Sequence, residues 1–332
     1  MKKTLSFLAV VGVGLAVSAC SASPATEPSS DGEIRIAGVY RNTVDAYVAS
    51  TICAATDEAE KLGVDYEVFS IATNDNTQLT QTLDAALLTN PQGIIFAPAD
   101  STTFSSRIAT IMADGIAVTG ESPQSPDTVW KNIMSSQDGS EFAGELIDSL
   151  ADVKGKAVIL NGLPSESASW ELDRYGAIQE ALQESNPNLE WLPDQIDNFD
   201  VAKGTQLISG VILANPDLKF IIASSGPGGQ AVAAAVEQAG KAGEITVLGF
   251  DAVPAEVDAL RRGTITALIA QSPGDVARAQ VNALVEYIKA NPDAGPVPVT
   301  GEPVFTPLGF LTKDNIDDPD MAGFIYSDTC QN

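Results

Sequence analysis

The sequence predicts an α/β protein built on two parallel sheets, and three observations carry that expectation. Short apolar runs bounded by turn residues alternate with longer helical stretches along nearly the whole chain. Runs such as Gly93–Phe96 (GIIF), Phe220–Ala223 (FIIA) and Thr246–Phe250 (TVLGF) are apolar almost throughout, as strands buried on both faces are. The TVLGF run leads straight into Asp251, and others end in polar residues, at the strand ends where open α/β sheets bind ligands.

Element by element, Ile34–Val39 reads as a strand, Asp45–Leu62 as a helix stopped by Gly63, and Tyr66–Ile71 as a strand. Helix Thr77–Leu88, strand Gly93–Phe96, helix Thr102–Ala113 and the short strand Ile116–Thr119 complete a first unit. A second unit repeats the pattern: helix Gly139–Leu150, strand Lys156–Leu160, helix Trp170–Gln183 and strand Leu189–Ile196. Helix Val201–Leu213, strand Phe220–Ala223, helix Gly229–Ala239 and the TVLGF strand continue it. Ile265–Ala270, a long helix Gly274–Ala290 and a Pro/Gly-rich stretch Asn291–Pro303 follow. Two sheets of five or six strands fit this count better than one very wide sheet, and the alternation implies right-handed crossovers.

Composition narrows the function. The chain has 332 residues, enough for two medium domains, and 44% hydrophobic residues, which marks a folded protein. A formal net charge of −26 opposes phosphate backbones, so nucleic acid is not an expected partner. The chain contains no histidine, which removes Ser-His and Cys-His nucleophile pairs and His-ligated metals. Three cysteines without C-x-x-C spacing leave no zinc or iron–sulfur framework, so neither metal nor cofactor is expected.

At the N-terminus, Lys2 and Lys3 precede an apolar run, Leu5–Val17, that ends in small residues before Cys20. This is the pattern of a secretory signal peptide. Val17-Ser18-Ala19-Cys20 resembles a bacterial lipobox, with residues 1–20 as the signal and Cys20 as the lipidated residue; an ordinary cleavage nearby is the alternative. Residues 21–32, rich in Ser, Pro and Ala, read as a disordered tether.

A set of segments, in order across almost all of residues 33–312, carries a family resemblance. AATDEAEKLG (Ala54–Gly63), IIFAPADS (Ile94–Ser101) and RYGAIQEAL (Arg174–Leu182) come first. FDVAKG (Phe199–Gly204), VLGFDAVP (Val247–Pro254) and ALIAQSPGDVA (Ala267–Ala277) complete the series. Each is weak alone, but in this order and spacing the chain resembles the periplasmic sugar-binding proteins of the ribose-binding, type I class, the solute receptors of ABC importers. The resemblance implies two Rossmann-like lobes joined by a three-crossing hinge, closing on a small polar ligand. The crossings are expected near Ser135, Gln271 and Gly301, which gives a first lobe of residues 33–135 plus 272–300 and a second of 136–271 plus 301–332. Regulators of this fold carry an N-terminal helix-turn-helix where this chain has the lipobox-like motif, which favours a receptor over a repressor.

The resemblance also implies a ligand set. Asp251 matches an acid that accepts sugar hydroxyls, with an N-cap of the following helix as its other reading. Arg174 matches a cleft arginine whose fork donates to two oxygens, with a surface ion pair to Glu171 or Asp173 as the alternative. Trp170 suits the C–H face of a sugar ring or plain core packing. Phe199 and Gln271 match an aromatic wall and a hinge-side amide, while Phe199 and Phe250 are equally readable as loop or core anchors. This chain departs from the ribose-binding pattern at three places: Glu121 stands in an Asp-Arg position, Ser225 in an Asn position, and Tyr40-Arg41-Asn42 with Tyr47 replaces the polar-aromatic first segment. Arg41 is placed to supply the missing positive charge. Ser224–Gly229 follows a strand as dinucleotide loops do, but it lacks their third glycine and a charged partner, so a flexible turn near the ligand is expected. Asp100 reads as a helix cap.

With Cys20 lipidated, Cys53 and Cys330 remain, and two cysteines in an exported chain usually pair, free thiols being the alternative. The tail TKDNIDDPDMAGFIYSDTC (Thr312–Cys330) resembles C-terminal extensions in one branch of the family, where a terminal cysteine accompanies one in the first helix. The expected function is a monomeric, lipid-anchored extracytoplasmic receptor that binds a sugar or polyol by lobe closure for an ABC permease. A sensory receptor for a non-sugar signal and an exported glycosidase using Glu121 and Asp251 are the alternatives.

Overall fold

A computed structural model describes residues 33–330, except 99, 101, 122–124, 126, 143, 145–149, 151, 165–168, 294, 301, 302 and 328. The expected signal peptide, Cys20 and the expected tether therefore lie outside the described residues, as does half of the expected helix Gly139–Leu150.

The first sheet has six parallel strands. They are β1 (Arg35–Tyr40), β2 (Asp65–Ser70), β3 (Gly93–Ala97), β4 (Ala117–Gly120), β5 (Lys131–Ser135) and β12 (Val304–Thr306). Their order across the sheet is β12-β5-β4-β3-β1-β2. Helices α1 (Ala46–Leu62), α2 (Asn76–Leu87) and α3 (Ser105–Ala113) connect consecutive strands. Local chemistry sets their ends. Asp45 caps α1 by accepting from the Tyr47 N–H, and Gly63 stops it at φ 66°, a left-handed conformation that only glycine adopts without strain. The central strands are fully buried between helices, which is why β3 tolerates no polar residue.

The second sheet has seven strands. They are β6 (Gly155–Asn161), β7 (Leu189–Trp191), β8 (Gln195–Ile196), β9 (Leu218–Ala223), β10 (Thr246–Phe250), β11 (Ala267–Ala270) and β13 (Gly309–Thr312). Their order is β13-β11-β10-β9-β6-β7, with β8 also paired to β6. All pairings are parallel except β11–β13. Helix α4 (Ser169–Ser185) packs on one face, and α5 (Val201–Ala214), α6 (Gly226–Gln238) and α7 (Pro254–Arg262) on the other, so each face has its own apolar core. The last long helix, α8 (Pro273–Ala290), returns to the first sheet: Val281, Leu284 and Ile288 share a core with Ile36, Ile94 and Ile95.

Four expectations need correction. The single strand Leu189–Ile196 is two short ones, because Pro193 stands between them and cannot donate to a ladder. Lys131–Ser135, not anticipated, is a strand. Ser225–Gly229 is no flexible turn: Gly226–Gly229 form the first turn of α6, whose N-cap Ser225 accepts from the Gly228 N–H. The helix expected from Thr102 starts at Ser105, and the Asp100 carboxylate instead accepts from the Thr102 and Thr103 N–H groups in the preceding turn.

The chain passes between the sheets after Ser135, after Ala270 and after Thr306. Gly301, the expected third crossing, lies outside the described residues, and Val304–Thr306 beyond it still pair with Ile133–Ser135 in the first sheet. Hydroxyls tie the crossings together. Ser135 Oγ lies 3.1 Å from Thr306 Oγ1, the Ser272 N–H donates to Ser135 Oγ at 3.2 Å, and Ser272 Oγ donates to Thr306 Oγ1 at 3.0 Å.

The tail makes a further connection. After β13 it runs back to α1, where Cys330 is disulfide-bonded to Cys53, 277 residues earlier.

Candidate functional site between the two sheets

A cavity of about 630 Å³ opens at the carboxyl ends of both sheets, a size typical of small-molecule sites. The first sheet contributes Arg41, Asn42, Asp45, Tyr47, Asn74 and Glu121, and the second contributes Leu163, Arg174, Phe199, Ser225, Pro227 and Asp251. Gln137 and Gln271, just past two of the crossings, stand between them. The strands deliver these residues because each chain segment leaves its sheet at this edge and turns into the next helix.

Four side chains form a closed ring. Arg174 Nε donates to Gln137 Oε1 (2.9 Å), Gln137 Nε2 to Gln271 Oε1 (3.0 Å), and Gln271 Nε2 to Asp251 Oδ1 (2.8 Å). Asp251 Oδ2 closes it at 3.8 Å from Arg174 Nη1 and accepts the Gly226 N–H at the start of α6 (3.1 Å). A carboxylate at a helix N-terminus is electrostatically favoured. Arg174 also donates to the Ser224 carbonyl (2.8 Å) and lies over the Phe250 ring, 4.2 Å from its centroid. Tyr326, from the tail, donates to Asp251 Oδ1 at 3.0 Å.

These contacts decide between the readings left open by the sequence. Asp251 does not cap its own helix: Val253 holds that place, and its N–H donates to the Glu256 carboxylate. Arg174 is buried, 7% exposed, and its ion pair is with Asp251, so the surface-pair reading is corrected. Glu171 is buried as well and accepts the Leu163 N–H. Phe250 lies beneath Arg174 and does not line the cavity. The Trp170 side chain lies outside the described residues.

On the opposite wall, Glu121 is 4% exposed and its Oε2 has no hydrogen-bond partner among the described residues. Burial pushes its pKa up to about 7, against the pull of the Arg41 charge. Arg41 Nη1 donates to Asn74 Oδ1 at 2.7 Å, while its Nε is buried with no partner among the described residues. Burial and the facing Asp251 charge both raise the Asp45 pKa.

Backbone strain also gathers here. Asn42 (φ 52°), Phe199 (φ 59°) and Asp251 (φ 89°) are non-glycine residues in left-handed conformations, and all three line the cavity. The Phe199 ring covers Gly162 so closely that a Cβ there would fall 2.0 Å from it. Any side chain at Gly162 would push the Phe199 ring from its place.

The structure thus gathers Arg41, Asn42, Tyr47, Glu121, Arg174, Phe199, Ser225, Asp251 and Gln271 around one cavity. Sequence reasoning missed Asp45, Asn74 and Gln137. Asp45 was read only as the first residue of a helix, which it in fact caps. Asn74 sits two residues before α2 with no pattern to mark it. Gln137 follows the one central strand that was not anticipated.

Comparisons with known proteins agree with this architecture. The family model described as a periplasmic binding protein domain matches residues 36–292. The D-allose-binding periplasmic protein of Escherichia coli is 27% identical over 248 residues, covering 70% of this chain and 78% of that protein. The ribose import binding protein of Salmonella typhimurium is 26% identical over 301 residues, covering 90% of this chain and 97% of that protein. A solved ABC transporter solute-binding protein from Agrobacterium vitis, bound with α-D-tagatopyranose, superposes with a TM-score of 0.74 at 24% identity, covering 89% of this chain and all of that one. Two mostly parallel sheets, three crossings and a polar cavity between them therefore place the chain: it belongs to the periplasmic binding protein family, with the type I fold.

Proposed function

We propose that this protein binds one monosaccharide or polyol in the interlobe cavity, closes its lobes on it, and delivers it to an ABC permease from outside the cytoplasm as a lipid-anchored monomer. The observation that carries this reading is a cavity walled from both sheets by charged and amide groups. A ligand that spans it gains its full hydrogen-bond set only when the lobes are together, which biases the open–closed equilibrium toward closure. The names of the relatives favour an aldose: D-allose and ribose for the two above. Tyr47 and Phe199 supply apolar ring faces suited to the C–H face of a sugar.

Binding without turnover is supported by the state of Asp251. Its carboxylate is engaged by Gln271, Tyr326, Gly226 and Arg174, which leaves it a fixed acceptor and a poor nucleophile. The test is calorimetric titration of the unfolded and refolded protein with D-allose, D-ribose, D-arabinose and myo-inositol. Saturable binding of one of them, lost in Asp251→Ala, is the expected result. No heat with any of them from protein of unchanged circular dichroism would overturn the sugar assignment. The anchor is tested separately: Cys20→Ala is expected to move the protein from the membrane to the soluble fraction.

A further inference from the structure

The C-terminal tail is not a passive appendage of the second lobe. Its Tyr326 is buried, 3% exposed, and sits directly behind the site. The Tyr326 hydroxyl accepts the Gln271 N–H at 3.2 Å and donates to Asp251 Oδ1 at 3.0 Å, so it links backbone and side chain of two cavity residues. Its ring meets Tyr47, a cavity residue of the other lobe, edge to face with centroids 5.7 Å apart. Burial and the neighbouring Asp251 charge hold the phenol neutral by raising its pKa, so it remains a donor. Its own N–H donates to the Ala252 carbonyl at 3.1 Å.

Beyond Tyr326 the tail is fixed to the first lobe. The Ser327 N–H donates to Ser50 Oγ at 2.8 Å, Ser50 Oγ donates to the Ser327 carbonyl at 3.3 Å, and the Cys53–Cys330 disulfide lies one helical turn further along α1. The tail therefore spans both lobes, and Tyr326 sits at the point where it passes the ligand cavity.

We infer that Tyr326 is a positioning residue of the binding site, aligning Asp251 and Gln271 for the ligand, and that the Cys53–Cys330 disulfide holds it there, so that ligand affinity depends on the disulfide. The inference rests on the sugar-binding reading for its affinity arm alone. An Asp251 free to leave the ring would have to be re-ordered at each binding event, which weakens affinity without removing a ligand contact.

The experiment uses the full, disulfide-bonded chain, Tyr326→Phe, and the double variant Cys53→Ser/Cys330→Ser. Tyr326→Phe keeps the ring against Tyr47 and removes only the hydroxyl. Two quantities are measured: the Kd for whichever of D-allose, D-ribose, D-arabinose or myo-inositol the unaltered protein binds, and the hydrogen-exchange rate of the Gln271 amide without ligand. The expected result is a Kd raised about 5- to 30-fold in both variants, as the loss of the hydroxyl's one hydrogen bond to a charged group implies, with Gln271 exchange accelerated at least 10-fold. A lowered melting temperature with unchanged Kd would make Tyr326 a packing residue only and overturn the inference. If the unaltered protein binds none of the four, the sugar reading fails by itself. Gln271 exchange then still decides the structural arm: acceleration in both variants supports it, and equal rates in all three proteins overturn it.

Discussion

The two walls of the cavity are built on opposite plans. On the second-lobe side four cavity side chains satisfy one another: Arg174, Asp251, Gln271 and the hinge-side Gln137 form a ring, buttressed by the Ser224 carbonyl, the Gly226 N–H and Tyr326. Atoms there without a partner among the described residues, Ser224 Oγ and Glu171 Oε1, belong to residues behind the cavity lining. On the first-lobe side, Glu121 Oε2 and Arg41 Nε are buried with no partner among the described residues. A buried polar atom without a partner is unfavourable by roughly 1–3 kcal/mol, so the first-lobe wall is the one a ligand hydroxyl relieves. On the proposed reading, the self-satisfied wall would fix where a ligand sits, while the wall with unmet capacity would respond to what the ligand is. Two of the three departures from the ribose-binding pattern, at Glu121 and at Arg41-Asn42, fall on this wall, while the third, Ser225, lies on the other.

The largest effect is expected at the self-satisfied wall. Asp251→Ala removes the acceptor of three N–H or O–H donors and uncompensates Arg174. Breaking a buried pair by deleting one partner costs about 3–5 kcal/mol, so both a melting temperature lowered by several degrees and a Kd raised at least 100-fold are expected. A Kd within threefold of the unaltered protein would show that the ring is scaffolding and not part of the site. Arg174→Lys comes next, since an ammonium cannot serve Gln137, the Ser224 carbonyl and Asp251 with the same fixed geometry. A Kd raised on the order of 10-fold, equivalent to about 1.4 kcal/mol, is expected in the same titration.

At the opposite wall, Glu121 sharpens the contrast through pH. Its folded pKa of about 7 lies above the ordinary value of 4.5, so the native state holds this proton more tightly than the unfolded chain. Its contribution to stability is therefore fully present below pH ~4.5 and is lost as pH rises through ~7. Unfolding free energy should fall over that window, and less steeply in Glu121→Gln. Some slope remains, because burial also raises Glu171 to about 7. Ligand affinity measured at pH 6 and pH 8 should differ in the unaltered protein and become level in Glu121→Gln. The smallest effect belongs to Asn74→Ala, which removes an exposed partner of Arg41. An exposed hydrogen bond to a charge is worth well under 1 kcal/mol, so a change of about twofold or less in Kd is expected.

The same contrast governs what could be read from the chain. The second-lobe wall was legible because its residues end strong apolar strands: Asp251 follows TVLGF and Gln271 follows ALIA, where a polar residue stands out. Arg174 and Phe199 came through their segments' likeness to known relatives. The first-lobe wall was partly legible, since Asp45 and Asn74 sit in loops and caps where polar residues are ordinary and carry no signal. Gln137 was hidden by its strand: Lys131–Ser135 opens with two polar residues, and only pairing with β4 and β12 makes it a strand. Tyr326 lies 55 residues beyond Gln271 and 75 beyond Asp251, and no local pattern encodes a contact over that distance.

Synthesis turns that distance into a delay. The chain is made from its N-terminal end, so both sheets and all the cavity-lining side chains exist before Tyr326 and Cys330 are synthesised. The disulfide joins residue 53 to residue 330, and its loop encloses every strand but β1. The chain therefore completes both sheets before it reaches the residues that form the clamp, Tyr326 and Cys330. Loss of residues 321–330 would remove Tyr326 from behind Asp251 and Gln271 together with the partner of Cys53, and leave the site unfinished.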